Sequence, residues 1–344
     1  MQLAASIEKR IFHFFRPAGT SRGVLNEKKS WFIYIWDENE PAIKGIGECS
    51  VIPGLSPDYL NDSAYEEKLK EVVLNIEKYS TQLTEIKEFP SILFGLEMAL
   101  LDFKNGGKRI YYDSAFTRGE KSIPINGLIW MGDPEFIKDQ IKDKISEGFS
   151  CIKMKIGAID FSKELEILEE IRKNYSSREI TLRVDANGAF TPPEAMAKLT
   201  RLSEYDLHSI EQPIKQGQWR EMKKLCESSP VPIALDEELI GLHDIKAKTE
   251  MLDKILPQFI ILKLSLVGGF HSTREWIELA EERKISWWIT SALESNIGLD
   301  AIAQFTSTYD IELPQGLGTG MLYKDNVPSE LRIENGCLKR LSHG

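Results

Sequence analysis

The sequence predicts an α/β protein: a modified TIM barrel, (β/α)7β, with an N-terminal α+β capping domain. Three observations predict it. The 344 residues exceed one ordinary core but suit a barrel of roughly 250 residues with a domain added. From about Ile123 the chain repeats strand, loop and helix, with starts roughly 22–30 residues apart, the length of a strand plus a crossover helix. The first third lacks this alternation and places strands before helices, the order of an α+β unit.

Taken in order, residues 5–16 and 30–37 alternate apolar and polar as antiparallel strands do. The polar, glycine-containing stretch 17–23 between them is expected to be an exposed, mobile connection. A Gly/Pro-rich loop follows at 51–57, then helical patterning over 58–79 and 92–103. The barrel strands are expected at 125–130, 151–156, 182–185, 209–211, 233–236, 259–264, 286–290 and, weakly, 315–317. No good helix follows the eighth, so the last unit is incomplete. These rhythms divide the chain into a cap at 1–120 and a barrel at 121–320, with 321–344 packing back on the cap. A doubly wound open sheet is the alternative, but no GxGxxG follows an early strand to support it.

Composition narrows the function. Hydrophobic residues make up 42% and charged residues 28%, with a formal charge of −10 and no basic run interleaved with aromatics. Phosphate affinity comes mainly from clustered Lys and Arg, so a nucleic-acid partner is not expected. Cys49, Cys151, Cys226 and Cys337 form no CxxC pair and read as reduced, small apolar residues. The first ten residues lack an apolar core of signal-peptide length, and no run approaches the ~18–20 apolar residues of a membrane span. A cytoplasmic enzyme acting on a small molecule is the expectation. The sequence shows no unambiguous interface patch, and homo-oligomerisation stays open.

Catalytic groups of a parallel barrel collect at the C-terminal ends of its strands. Those ends carry Lys153-Met-Lys155, Asp185-Ala-Asn187, Glu211-Gln-Pro213, Asp236-Glu237, Lys263 and Ser291-Ala-Leu-Glu294. Side chains alternate along a strand, so Lys153 and Lys155 point the same way. Carboxylates on three consecutive strands converging on one rim repel strongly in a low-dielectric site. A hard divalent cation resolves that repulsion, and oxygen-only ligands favour magnesium over zinc. Asp185, Glu211 and Asp236 are therefore the expected metal ligands, with manganese as the alternative ion. A lone acid at a strand end is commonly a helix cap, but that reading has to hold three times over here. Lys263 interrupts an apolar strand, and a buried unpaired lysine is costly enough to need a purpose. Asn187 and Glu237 are expected to orient the ligands. The five histidines sit at none of these strand ends.

With these residues in this order, the chain resembles the enolase superfamily, specifically its muconate-lactonizing branch. The likeness spans essentially the whole chain. Within that branch Ser291-Ala-Leu-Glu-Ser-Asn-Ile-Gly and Gly316-Leu-Gly-Thr-Gly-Met-Leu-Tyr-Lys-Asp resemble the o-succinylbenzoate synthases, dehydratases of menaquinone biosynthesis. Dipeptide epimerases carry an Asp-x-Asp pair near the eighth strand to hold an ammonium group. Here that stretch is Gln315-Gly-Leu-Gly-Thr-Gly, without a carboxylate.

The resemblance implies a hydroxy-cyclohexadiene carboxylate bearing a succinyl side chain as substrate. It also implies Lys155 as base and then acid, Lys153 as stabiliser of the enediolate, and Lys263 as a cation over the opposite face. Arg22 is the candidate for the succinyl carboxylate, because a guanidinium matches carboxylate geometry. Ser265, Ser291 and Glu294 are further expected substrate contacts. An N-acylamino-acid racemase, a dipeptide epimerase or a cycloisomerase on the same scaffold is the alternative. A non-catalytic binding module is the remote one.

Overall fold

The computed structural model describes residues 2–20, 23–130 and 132–341. Three antiparallel strands, β1 (Leu3–Thr20), β2 (Gly23–Asp37) and β3 (Glu40–Ser50), form the cap sheet in that order. Trp31, Ile33, Ile35 and Cys49 turn one face of it onto helices Asp62–Leu74 and Pro90–Lys104, burying Tyr65, Leu69 and Leu96.

Two features differ from the expectation. The segment 17–23 largely continues the hairpin: β1 runs to Thr20 and pairs Ala18↔Leu25 and Gly19↔Val24, after a register shift between His13 and Ala18. Main-chain pairing of this kind needs no alternating side chains, and the irregular register hides it from a pattern search. β3 is the other addition. Gly45 and Gly47 weaken a strand signal, yet the packing requires them: a Cβ on Gly47 would stand 1.8 Å from the carbonyl oxygen of Gly95. The glycines let β3 lie directly on helix Pro90–Lys104.

Past a short β4 (Ile123–Pro124), seven parallel strands follow: β5 (Gly127–Ile129), β6 (Cys151–Lys155), β7 (Thr181–Asp185), β8 (Ser209–Glu211), β9 (Ile233–Leu235), β10 (Phe259–Leu262) and β11 (Ser286–Ile289). Each lies beside its sequence neighbour. Helices begin at clear signals: Asp133 accepts from Phe136 N, Asp160 from Ser162 N, and Thr191 with Glu194 forms a capping box. Where an eighth strand was expected, Gln315 and Gly316 make isolated parallel bridges to Ile125 and Thr290. These close the curl, giving the (β/α)7β barrel. Arg183 fills the interior with its guanidinium 4.0 Å from the Trp288 ring. The C-terminal β12 (Leu331–Glu334) and β13 (Cys337–Arg340) pair with each other, and β13 pairs with β4. Phe14 bridges Tyr323, which joins this segment to the cap hairpin as well. Among the described residues, no helix is long and apolar enough to cross a membrane.

Candidate active site

Parallel register places Lys155, Asp185 and Glu211 in one row across β6, β7 and β8. Lys153, two residues earlier on the same face, lies 3.0 Å from Asp185 Oδ2 and hydrogen-bonds Glu211. The Lys155 amine donates to Asp185 Oδ2 at 3.1 Å and to Asn187 Oδ1 at 2.6 Å. From the far side Lys263, just beyond β10, pairs with Asp236 and stands 3.9 Å from Glu211 Oε1. Three lysines and three acids thus interleave in a nearly dry cluster: Lys153, Asp185, Glu211 and Asp236 are all buried.

Neighbouring charge sets the electrostatics. Burial pushes the Lys153 ammonium down, but Asp185 and Glu211 outweigh it and raise it above the ordinary lysine range. Lys263 is raised likewise, burial being outweighed by Asp236 and Glu211. Burial alone would raise Asp185, yet Lys153 and Lys155 hold it well below the usual carboxylate range. Glu211 goes up, through burial and then the repulsion of Asp185. Its Oε1 is a buried oxygen with no hydrogen bond. Among the described residues, no three His, Cys, Asp or Glu side chains close on a common point. The lysine amines stand between the carboxylates instead.

The turns after the strands are held in unusual backbone states. Asn187 (φ 43°), Gln212 (φ 39°) and Leu293 (φ 64°) all occupy the left-handed region, which non-glycine residues rarely adopt. Asn187 donates its backbone N–H to Asp185 Oδ1 at 3.0 Å and its side-chain amide to Glu237 Oε1 at 3.1 Å. It therefore ties the Lys155 amine, Asp185 and Glu237 together.

A pocket lies above this cluster. Lys153, Lys155, Asp185, Asn187, Glu237 and Lys263 form its polar part, and Leu128, Trp130, Ala292 and Leu293 its apolar walls. The cap contributes Ile52 and Leu55. Of the expected substrate contacts, Ser291 lines the pocket, whereas Ser265 and Glu294 are fully buried and hydrogen-bonded to each other at 2.6 Å. Arg22 lies outside the described residues. Sequence reasoning missed Asn126, whose buried Oδ1 has no hydrogen bond although the residue lines the pocket. It missed Thr290 and Thr319 too, and assigned no role to the 51–57 loop that supplies Ile52 and Leu55.

An acid-and-lysine cluster at the C-terminal rim of a capped (β/α)7β barrel defines the chain as a barrel enzyme. A family model described as Enolase C-terminal domain-like matches residues 137–343, and the chain belongs to the enolase superfamily. It is 50% identical to the o-succinylbenzoate synthase of Desulfotalea psychrophila, over 94% of this chain and 95% of that one. The crystal structure of MenC from Desulfotalea psychrophila superposes with a TM-score of 0.87 at 44% identity, covering 98% of this chain and 100% of that one. The L-Ala-D/L-Glu epimerase of Bacillus subtilis is 25% identical over 83% of this chain and 78% of its own length.

Proposed function

We propose that the protein is an o-succinylbenzoate synthase, a hydro-lyase that dehydrates a succinyl-hydroxy-cyclohexadiene carboxylate to o-succinylbenzoate in menaquinone biosynthesis. The observation that carries this reading is the 50% identity to an enzyme of that name, sustained over 94% of the chain.

The cluster suits a divalent cation in its donor chemistry: carboxylate oxygens from three neighbouring strand ends, with a buried Glu211 Oε1 that has no hydrogen bond. Asp185, Glu211 and Asp236 would hold it. Magnesium, with manganese as the alternative, supplies Lewis-acid neutralisation of the substrate carboxylate when bound. The chain's own groups do the rest. Lys155 takes the proton from the carbon next to the carboxylate, leaving an enediolate. Lys153, directed at the same space, stabilises the charge that develops there, commonly the largest catalytic term. The carbon–oxygen bond then breaks, and Lys155 returns its proton to the departing hydroxyl, so that water leaves and the ring becomes aromatic. Lys263 stays cationic on the opposite face and stabilises the planar intermediate through its π-system. Asn187 and Glu237 fix the Lys155 amine. Ser291 contacts the substrate.

The second reading is an isomerase on the same residues, with Lys263 as the second base. Lysines on opposite sides of one pocket favour it. Against a dipeptide substrate, the wall nearest the eighth strand position is Gly316, Gly318 and Thr319, with no carboxylate to meet an ammonium group. Ultraviolet detection of o-succinylbenzoate formed from its cyclohexadiene precursor, with magnesium and then with EDTA, tests the first reading. Metal-dependent turnover supports it. Deuterium exchange at the α-carbon of N-succinyl amino acids, without dehydration, transfers the assignment to the second.

A further inference from the structure

Glu48, on cap strand β3, is fully buried and reaches from the cap into the barrel. Its Oε1 accepts from Ser30 Oγ on β2 at 2.7 Å and from Ser295 N at 2.9 Å. Its Oε2 accepts from Ser295 Oγ at 2.6 Å and from Gly298 N at 2.9 Å. A carboxyl group buried this deeply is costly unless both oxygens find donors, and here both do. The barrel donors belong to the cap residue and first turn of helix Asn296–Thr306, the end of a helix that favours an acid. An amide could not take its place. Each oxygen faces a main-chain N–H, so a glutamine would turn its NH2 group onto one of them in either orientation. The approach is also too close for a side chain at Gly298, where a Cβ would stand 2.9 Å from Glu48 Oε2.

The two sides joined in this way each carry a wall of the pocket. On the cap side, β3 ends at Ser50 and runs into the 51–57 loop, which supplies Ile52 and Leu55. On the barrel side, Ser291, Ala292 and Leu293 form the wall just before the helix. That stretch is strained, with Leu293 at a φ of 64°. A non-glycine residue persists in that region only where its surroundings over-determine it. Behind it Glu294 accepts from Ser265 Oγ at 2.6 Å, Ser291 Oγ at 2.6 Å and Ala292 N at 2.7 Å. The run from 291 to 298 thus has two uses: Ser291 and Glu294 fold the wall, while Ser295 and Gly298 receive the cap.

We propose that Glu48 is a positioning residue: it latches the cap onto the 295–298 turn and so sets the spacing between the cap wall at Ile52 and Leu55 and the barrel wall at Ala292 and Leu293. β3 cannot yield on its own side, because Gly45 and Gly47 seat it directly on the backbone of helix Pro90–Lys104. A slipped latch is therefore felt in the loop that follows β3 and in the turn that receives Glu48. Substrate binding depends on this spacing through the apolar walls, without contact between Glu48 and substrate. The lysines and acids of the cluster are held separately, by the in-register strands. The inference rests on this pocket being the reaction site.

Glu48→Gln tests the latch. KM for the cyclohexadiene substrate rises about tenfold while kcat changes less than about threefold, the pattern of lost binding rather than lost chemistry. Amide hydrogen exchange accelerates at least about tenfold in peptides spanning 51–57 and 290–298, while the cap helix at 62–74 keeps its wild-type protection. Leu69→Ala is the comparison, since it opens a cavity in the cap core away from the pocket. It lowers the melting temperature yet leaves KM within about twofold of wild type. Ser295→Ala removes one donor to Glu48 and shifts KM and both peptides the same way, by about threefold, so the test stands even if Glu48→Gln does not fold. Wild-type KM and exchange in the folded Glu48 and Ser295 variants overturn the proposal. So does a KM that rises in Leu69→Ala as it does in Glu48→Gln for the same loss of melting temperature. Should the wild type fail to dehydrate the substrate, the proposed function falls, and exchange, which needs no substrate, still judges the latch.

Discussion

The amine of Lys155 donates to Oδ1 of Asn187 at 2.6 Å, tying the proposed base to the turn that follows β7. The contact depends on Asn187 holding a left-handed backbone, which brings its side chain back over the strand end. Its amide reaches Glu237 on the next turn but one. A base placed this way keeps one orientation towards the substrate, and orientation governs proton-transfer efficiency.

Asn187→Leu therefore lowers kcat for dehydration by roughly 10–100-fold, the range typical of lost orienting groups. KM changes little, since Asn187 acts on the base rather than on substrate binding. Steady-state kinetics on the folded variant check this. An unchanged kcat removes Asn187 from the account.

Asn126 presents a buried carbonyl oxygen with no hydrogen bond at the pocket wall. A buried polar atom without a partner costs about 1–3 kcal/mol, a cost that a bound donor relieves. Asn126→Ala accordingly raises KM by about tenfold with a small effect on kcat, and leaves thermal stability the same or better. Wild-type KM in the variant would show that the oxygen serves no ligand.

His208 packs between Phe259 and Trp288 at the base of the barrel, near Arg183. Burial first, and then the Arg183 charge, lowers its pKa from the usual 6.5 to about 4. The folded state thus resists a proton that the unfolded chain accepts, so stability is intact above about pH 6.5 and falls as pH drops towards 4. The loss is on the order of 1–2 kcal/mol once solvent screening of this half-buried ring is allowed for. Urea midpoints at pH 7 and pH 4.5 measure it. His208→Gln flattens that difference by the same amount, whereas an equal acid loss in the variant assigns the slope to other groups.

Much of the site could be read from the chain because its geometry follows from simple periodicities. Lys153 and Lys155 share a face through the two-residue strand repeat, and the in-register strands bring Asp185 and Glu211 level with Lys155. Lys263 stood out as a charge inside an apolar run. The rest depends on contacts between distant parts. Ile52, Leu55 and Asn126 reach the pocket only through docking of the cap and closure of the barrel. Ser265 and Glu294 lie at strand ends as expected, yet the structure turns them into a buried pair behind the wall. β3 was hidden for a related reason. The glycines that weakened its signal are what its packing against Gly95 demands.

The central claim is that Lys155 moves the proton in both halves of a metal-dependent elimination. Its most direct test is single-turnover dehydration of the cyclohexadiene substrate by wild type, Lys155→Ala and Lys263→Ala, each shown to be folded and run with saturating magnesium. The account predicts loss of product formation by at least about a thousandfold in Lys155→Ala, the scale of a missing general acid–base group plus its alignment. Lys263→Ala keeps a measurable rate. Product formed at a comparable rate by Lys155→Ala, with Lys263→Ala inactive, would contradict it and place the base on the opposite face.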